Sequence, residues 1–126
     1  LNNKIKIFLA LASFMMALAI SLGAFGAHGL KSILDEYMLK IYHTGVEYHF
    51  YNTFGLFIAT FLYALKPNSK KIYIAIWLII IGMCIFSFSL YLLAILSMPL
   101  LGAITPIGGS LLIIAWIIIT YEILKN

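Results

Sequence analysis

Residues 72–96 read IYIAIWLIIIGMCIFSFSLYLLAIL. No charged side chain interrupts them, and as a helix they can cross the roughly 30 Å hydrocarbon layer that about 20 apolar residues span. Three more stretches long enough to cross surround them, residues 5–27, 42–65 and 103–124, each apolar but for one charged residue, Lys6, Glu47 and Glu122. All four are predicted to be helical, because lipid offers no partner to an unpaired backbone amide. Strands of a membrane barrel would be shorter and would alternate polar with apolar residues, which none of these does. The expected fold is all-α: one polytopic domain, residues 1–126, with four transmembrane helices in a bundle.

Composition points the same way. Of the 126 residues 64% are hydrophobic and 10% charged, whereas a soluble domain carries about 25% charged residues. That leaves too little polar surface to cover a small soluble domain. The net charge of +4 comes from eight lysines and no arginine against Asp35, Glu36, Glu47 and Glu122. The lysines stand singly or in pairs at the edges of apolar runs, as membrane-interface anchors do. The expected partner is therefore the lipid bilayer and not nucleic acid. Lys4 and Lys6 followed by Ile7–Leu22 look like a secretory signal. A signal's apolar region is about 7–15 residues long, whereas this one runs on through Gly23 to Ala27, so a retained membrane helix is expected. Cys84 is the one cysteine; it allows no disulfide within the chain and reads as a packing residue.

The connections set the topology. Residues 28–41 are mixed, with Lys31, Asp35, Glu36 and Lys40, and predict a short interfacial helix between the first two spans. Lys66-Pro67-Asn68-Ser69-Lys70-Lys71 is a lysine-marked turn. Ser97-Met98-Pro99 predicts a tight hairpin, with Thr105 as the N-cap of the fourth helix and Pro106 at its first position. Placing the N-terminus inside gathers Lys4, Lys6, Lys66, Lys70, Lys71 and Lys125 on the cytoplasmic side and leaves Lys31 and Lys40 outside. Lysine excess marks the cytoplasmic face, so both termini are expected there. No internal repeat or linker is evident.

The second stretch is the polar one. At about 100° per residue, His43, Thr44, Glu47, Tyr48, Tyr51 and Asn52 cover one half of the helix, and His49 projects toward the other. Inserting an ionisable group costs about 2.5–3.5 kcal/mol on translocation scales, so such groups normally face protein or water. The polar half is therefore expected to face the bundle interior or another subunit. Glu47 lies one turn after His43, where side chains meet. Three readings follow: a helix-locking hydrogen bond, a proton- or cation-exchanging carboxylate, or metal ligation by His43, Glu47 and His28. The first is preferred and no metal is expected, since no Glu-x-x-His motif accompanies the pair.

Two small-residue clusters read as packing surfaces. In Gly23-Ala24-Phe25-Gly26-Ala27-His28-Gly29, the residues Ala19, Gly23 and Ala27 recur at i, i+4 and i+8, allowing close helix approach. Gly26 and Gly29 let the chain leave the membrane. The spacing does not match a dinucleotide loop. His28, at the outer interface, reads as hydrogen-bonded, with a pH-sensitive role as the alternative. Gly102-Ala103-Ile104-Thr105-Pro106-Ile107-Gly108-Gly109 reads as a cap and contact site; anion binding at the helix start is the weaker reading. Ser87 and Ser89 are expected to donate to their own helix. Trp77, Trp116, Tyr63, Tyr73, Tyr91 and Tyr121 read as core or interfacial aromatics. No catalytic triad, cysteine–histidine pair, zinc motif or phosphate loop is present, so no enzymatic activity and no cofactor are expected.

The motif Gly23-Ala24-Phe25-Gly26-Ala27-His28-Gly29-Leu30 resembles the hallmark of small bacterial inner-membrane proteins grouped as domain of unknown function 423, relatives of eukaryotic transmembrane protein 256. The resemblance continues through Tyr42–Asn52, Phe86-Ser87-Phe88-Ser89-Leu90-Tyr91 and Leu101–Gly109 with Trp116, essentially the whole chain. It implies a four-span, multi-pass protein of the bacterial cytoplasmic membrane with no established activity. Where this chain has His49 and Asn52 the family usually carries Gln and His, so a role of that family histidine does not transfer to Asn52. The expected role is structural or accessory, within a homo-oligomer or a larger membrane complex. The alternatives are a proton or small-solute carrier using the polar face of the second span, and a quinone- or haem-associated redox subunit drawing on His28, His43 and His49.

Overall fold

A computed structural model describes residues 1–125; Asn126, the last residue of the expected domain, lies outside the described residues. Helix α1 covers Asn3–Phe25, α2 Glu36–Leu65, α3 Lys70–Leu96 and α4 Thr105–Leu124. Among the described residues there is no strand. Three starts are closed by side chains. Asn2 accepts from the Ile5 amide at 2.9 Å, Asp35 from Met38 at 2.8 Å, and Ser69 from Ile72 at 3.2 Å, each satisfying one orphan donor of a first turn.

Three segments are long and apolar enough to cross a membrane: Asn3–Leu30, Lys70–Leu96 and Pro99–Leu124. Helix α2 is longer than any of them needs to be, at 30 residues, but its polar first half keeps it out of that class by composition. Each helix packs mainly against its neighbour in the chain, α1 on α2, α2 on α3 and α3 on α4. Toward the lysine-rich end the core holds Phe8, Leu56, Ile72, Ile76, Ile79 and Met83. Toward the other end lies a second cluster of Leu30, Tyr42, Val46, Tyr91 and Ala94. The outward surfaces carry large apolar side chains, among them Phe14, Phe61, Ile81 and Ile117.

Four sequence expectations change. No separate interfacial helix follows the first span. A π-helical turn, Gly26–Leu30, ends α1, and α2 then runs unbroken from Glu36, because Asp35 caps it and Glu36 complements the dipole of its first turn. The buried row on α1 is Ile5, Phe8, Ala12, Met15 and Ala19, then Gly26 and Leu30. Its first steps alternate three and four, the seam of a left-handed pair, so Ala27 at strict i+4 spacing falls outside and is exposed. The 97–99 hairpin is wider than expected. Ser97 ends α3 in the left-handed region (φ 53°), and a 3-10 turn, Pro99–Ala103, follows. Thr105 lies inside α4, whose start carries no side-chain cap; its hydroxyl pairs with Ser89 on α3 instead.

Candidate functional site

The contact between α2 and α3 contains a buried polar pair. His49 has no exposed surface, and its Nδ1 lies 2.8 Å from the Tyr91 hydroxyl. Both residues arrive there because their helices come close. A Cβ added to Gly45, one turn before His49, would stand 2.8 Å from the Tyr91 ring, so the absent side chain makes the space the phenol fills. Tyr42 packs its ring 5.1 Å from that of Tyr91 and donates its hydroxyl to the Leu22 carbonyl of α1. Phe88 meets the imidazole edge-on at 5.7 Å, and Thr53 donates to the His49 carbonyl at 2.7 Å.

Chemically the pair fits a neutral imidazole that accepts the Tyr91 proton at Nδ1 and keeps its own on Nε2. That second nitrogen is buried and closes no hydrogen bond. The buried Ser87 hydroxyl, one turn before Tyr91, also lacks a partner. The expectation that Ser87 donates to its own helix therefore fails, whereas Ser89 does donate, to the Phe86 carbonyl at 2.9 Å.

The polar half of α2 points the other way. His43, Glu47, Tyr48 and Tyr51 are exposed, and Thr44 and Asn52 are half-buried. The face expected toward the bundle interior or another subunit is thus not in the interior of this chain but on its outside, while His49 is on the inside. The buried stripe of α2 starts with Tyr42, Gly45, Val46, His49, Thr53, Gly55 and Leu56 and continues through Ala59, Thr60 and Tyr63. It is selected by small residues that admit a neighbouring helix rather than by polarity. Local bonds tie down part of the outer face: Thr44 donates to the Lys40 carbonyl at 3.1 Å, and the Asn52 amide to that of Tyr48 at 2.7 Å. Glu36, Leu39, Lys40, His43, Thr44 and Glu47 line a shallow groove of about 440 Å³.

His28 and His43 are exposed while His49 is buried. Among the described residues no three histidines, cysteines or acids stand close enough to hold a metal ion. The glycine clusters lie in helix contacts. Gly23 faces Val46, Gly26 faces the Tyr42 ring, and Gly102 faces Leu93. Gly29 is the exception, because it packs against Phe25 within its own turn. Gly108 meets the backbone of α3, and Gly109 lies against Phe86. Pro106 stands exposed in the first turn of α4.

Sequence reasoning passed over two groups. Tyr91 reads as an ordinary aromatic, although its i+4 spacing from Ser87 hints at a polar stripe. Glu122, at the opposite end, is buried. Its carboxylate accepts from the Ser69 hydroxyl and pairs with Lys125 at 2.9 Å, while Lys66 donates to its backbone carbonyl at 2.9 Å. The carboxylate raises the pKa of the Lys125 ammonium above its ordinary value, by hydrogen bond first and charge second.

Comparison with known proteins places these features in a family. The family model described as "Protein of unknown function (DUF423)" matches residues 22–109. A UPF0382 membrane protein of Bacillus subtilis, YwdK, is 42% identical over 120 residues, covering 95% of this chain and 98% of its own length. A UPF0382 membrane protein of Haemophilus influenzae is 39% identical, over 100% of this chain and 98% of its own. One from Staphylococcus epidermidis is 38% identical, over 95% and 97%. No solved structure matches the chain significantly.

Proposed function

Since the chain belongs to the DUF423 family of membrane proteins of unknown function, we propose its role from its own geometry: a non-enzymatic packing subunit that associates sideways with other protein in the bacterial cytoplasmic membrane. In this reading all four helices cross the bilayer and both termini face the cytoplasm. The ends of α1 and α3 support the crossing of α2. Lys4 of α1 lies over the Tyr73 ring of α3 at 4.8 Å, so both helices begin at the same end and α2 must return the chain between them. Lys71 over Tyr121, at 4.4 Å, brings the tail of α4 to that end as well. Six of the eight lysines gather there, as lysines do on a cytoplasmic face.

The observation that carries the proposal is the outward face of α2. Tyr48, Tyr51 and Asn52 lie on the membrane side of Glu47, itself about 28 Å along the helix from Lys66 at 1.5 Å per residue. Side chains of this kind are costly against acyl chains and are normally covered by protein. Within the chain Tyr48 and Tyr51 stay exposed, although the Tyr48 ring meets Phe86 of α3, and Asn52 is half-buried. A carrier would need this same face to line a path between copies, since it lines none within one chain.

The test is extraction of the full chain from its native membrane into lipid discs without detergent exchange, followed by mass measurement of the intact particles. Particles containing more than one protein chain are expected. Particles holding one copy and nothing else would overturn the proposal.

A further inference from the structure

We propose that the lysine-rich end carries a phosphate site, built by Lys4, Tyr63, Asn68, Lys70 and Tyr73, which takes the headgroup of an anionic phospholipid. This goes beyond lateral association and does not depend on it.

The site lies where α1 and α3 begin and α2 ends. A pocket of about 230 Å³ opens there between Lys4, Tyr63, the 67–70 turn and Tyr73. That is smaller than the about 300–1,000 Å³ of drug-sized ligand sites, and it suits one small polar headgroup.

Two observations point to an anion. The first is Tyr63, which is 3% exposed and still lines the pocket. Its ring is fixed from two sides, by Phe8 at 6.1 Å and Tyr73 at 5.9 Å. The hydrogen bonds of this end run through Ser69, Lys66 and Glu122, and the Tyr63 hydroxyl takes part in none of them. Buried phenols normally find a partner, so this one is a donor held ready for a ligand.

The second is positive charge brought in by two helices. The Lys4 ammonium is held over the Tyr73 ring at 4.8 Å, and Lys70 opens the first turn of α3. The amides of Lys70 and Lys71 precede any acceptor within their helix, so the positive end of the α3 dipole adds to the lysines. The acid nearby, Glu122, is engaged by Ser69 and Lys125. Ser69 is itself committed to Glu122 and to the Ile72 amide. The two lysines, Tyr63 and the Asn68 amide are left for the phosphate oxygens.

Position selects a lipid over free phosphate. Lys4 and Lys70 stand at the start of segments long and apolar enough to cross a membrane, which is headgroup level. Trp77, one turn beyond Tyr73, lies 5.7 Å from the Phe8 ring and is 37% exposed. It continues the aromatic wall into the hydrocarbon layer, where the acyl chains of a seated lipid run. A zwitterionic headgroup would bring its own cation against the two lysines, so a net-anionic one is favoured.

Native mass spectrometry of the full chain released from detergent micelles tests the inference. Phosphatidylglycerol and phosphatidylcholine of the same acyl chains are titrated in parallel, and one phosphatidylglycerol is expected to be retained in preference. Tyr63→Phe keeps the ring and every charge, and should weaken that binding about tenfold, the size of a hydrogen bond to a charged group. Lys4→Ala with Lys70→Ala should weaken it roughly 25-fold, about fivefold for each lysine. Lys31→Ala with Lys40→Ala removes the same charge at the opposite end and should leave binding unchanged. Equal retention of the two lipids, no loss in Tyr63→Phe, or an equal loss in both lysine pairs would overturn the site. Displacement of the lipid by an equal concentration of inorganic phosphate would overturn its assignment to a lipid. None of these results bears on the number of chains in a lipid-disc particle, so lateral association is judged separately.

Discussion

At His49 two ring nitrogens sit where water does not reach, and one of them is met by Tyr91. An orphaned buried polar group costs about 1–3 kcal/mol, whereas removing both members of a pair for apolar rings of similar shape can be nearly neutral. Tyr91→Phe should therefore destabilise the protein by about 1–3 kcal/mol, because it strips the partner from Nδ1. His49→Phe combined with Tyr91→Phe should lie closer to the unaltered protein than Tyr91→Phe alone. Unfolding titrations of the single and double variants in mixed micelles check this; additive losses would mean the pair is not coupled. How far this site is legible beforehand is itself informative. Helical periodicity separates His49 from the other polar residues of 43–52. Which half faces inward does not follow from polarity, because the interior is chosen by closest approach. Gly45 and Gly55, placed against Tyr91 and Trp116, mark that side in the sequence, but only once the identity of the neighbouring helix is known.

Helix α4 is held to α3 by an approach closer than side chains allow. A Cβ on Gly108 would lie 2.6 Å from the Phe86 amide nitrogen and 2.7 Å from the Gly82 carbonyl oxygen, both backbone. The next glycine differs, since a Cβ on Gly109 meets only the Phe86 ring, at 3.6 Å. Gly108→Ala must push the helices apart and should cost about 1–3 kcal/mol, as overpacking does. Gly109→Ala should be neutral or slightly stabilising, since alanine favours a helix interior by up to about 1 kcal/mol over glycine. Parallel thermal melts of the two variants provide the check, and equal losses would contradict this packing. At the other end of α4, Glu122→Gln removes the ion pair with Lys125 and weakens acceptance from Ser69. Faster hydrogen exchange in the last turn of α4 and in the 66–69 turn is expected, with the 97–104 connection unchanged. Element existence was plain in the chain, since apolar runs ended by Lys, Pro and Ser have few alternatives in lipid. Element ends were less so. The merging of residues 36–41 into α2 depends on a single cap at Asp35, and the wide turn after Leu96 depends on Ser97 taking a left-handed conformation.

Across the whole molecule the dominant asymmetry is electrostatic. Lys4, Lys66, Lys70, Lys71 and Lys125 surround one end, several of them fixed by Tyr73, Tyr121 and Glu122, while the other end mixes Lys31 and Lys40 with Asp35 and Glu36. A bilayer responds to this difference during insertion, because lysine-bearing connections are retained on the cytoplasmic side. The two ends should thus be distinguishable chemically in intact cells. With Cys84→Ser as background, single cysteines at Asn68 in the α2–α3 turn and at Ser32 before α2 occupy opposite ends, and both positions are exposed. A membrane-impermeant maleimide should label Ser32→Cys and leave Asn68→Cys untouched until the membrane is opened. Replacing Lys66, Lys70 and Lys71 with glutamine removes three of the six lysines at that end and should let a measurable fraction of chains insert upside down, so that Asn68→Cys begins to react from outside. Restoring lysines in that turn should abolish the reaction. If the triple replacement leaves labelling unchanged, helix packing rather than charge fixes the orientation, and the lysines act only as interface anchors.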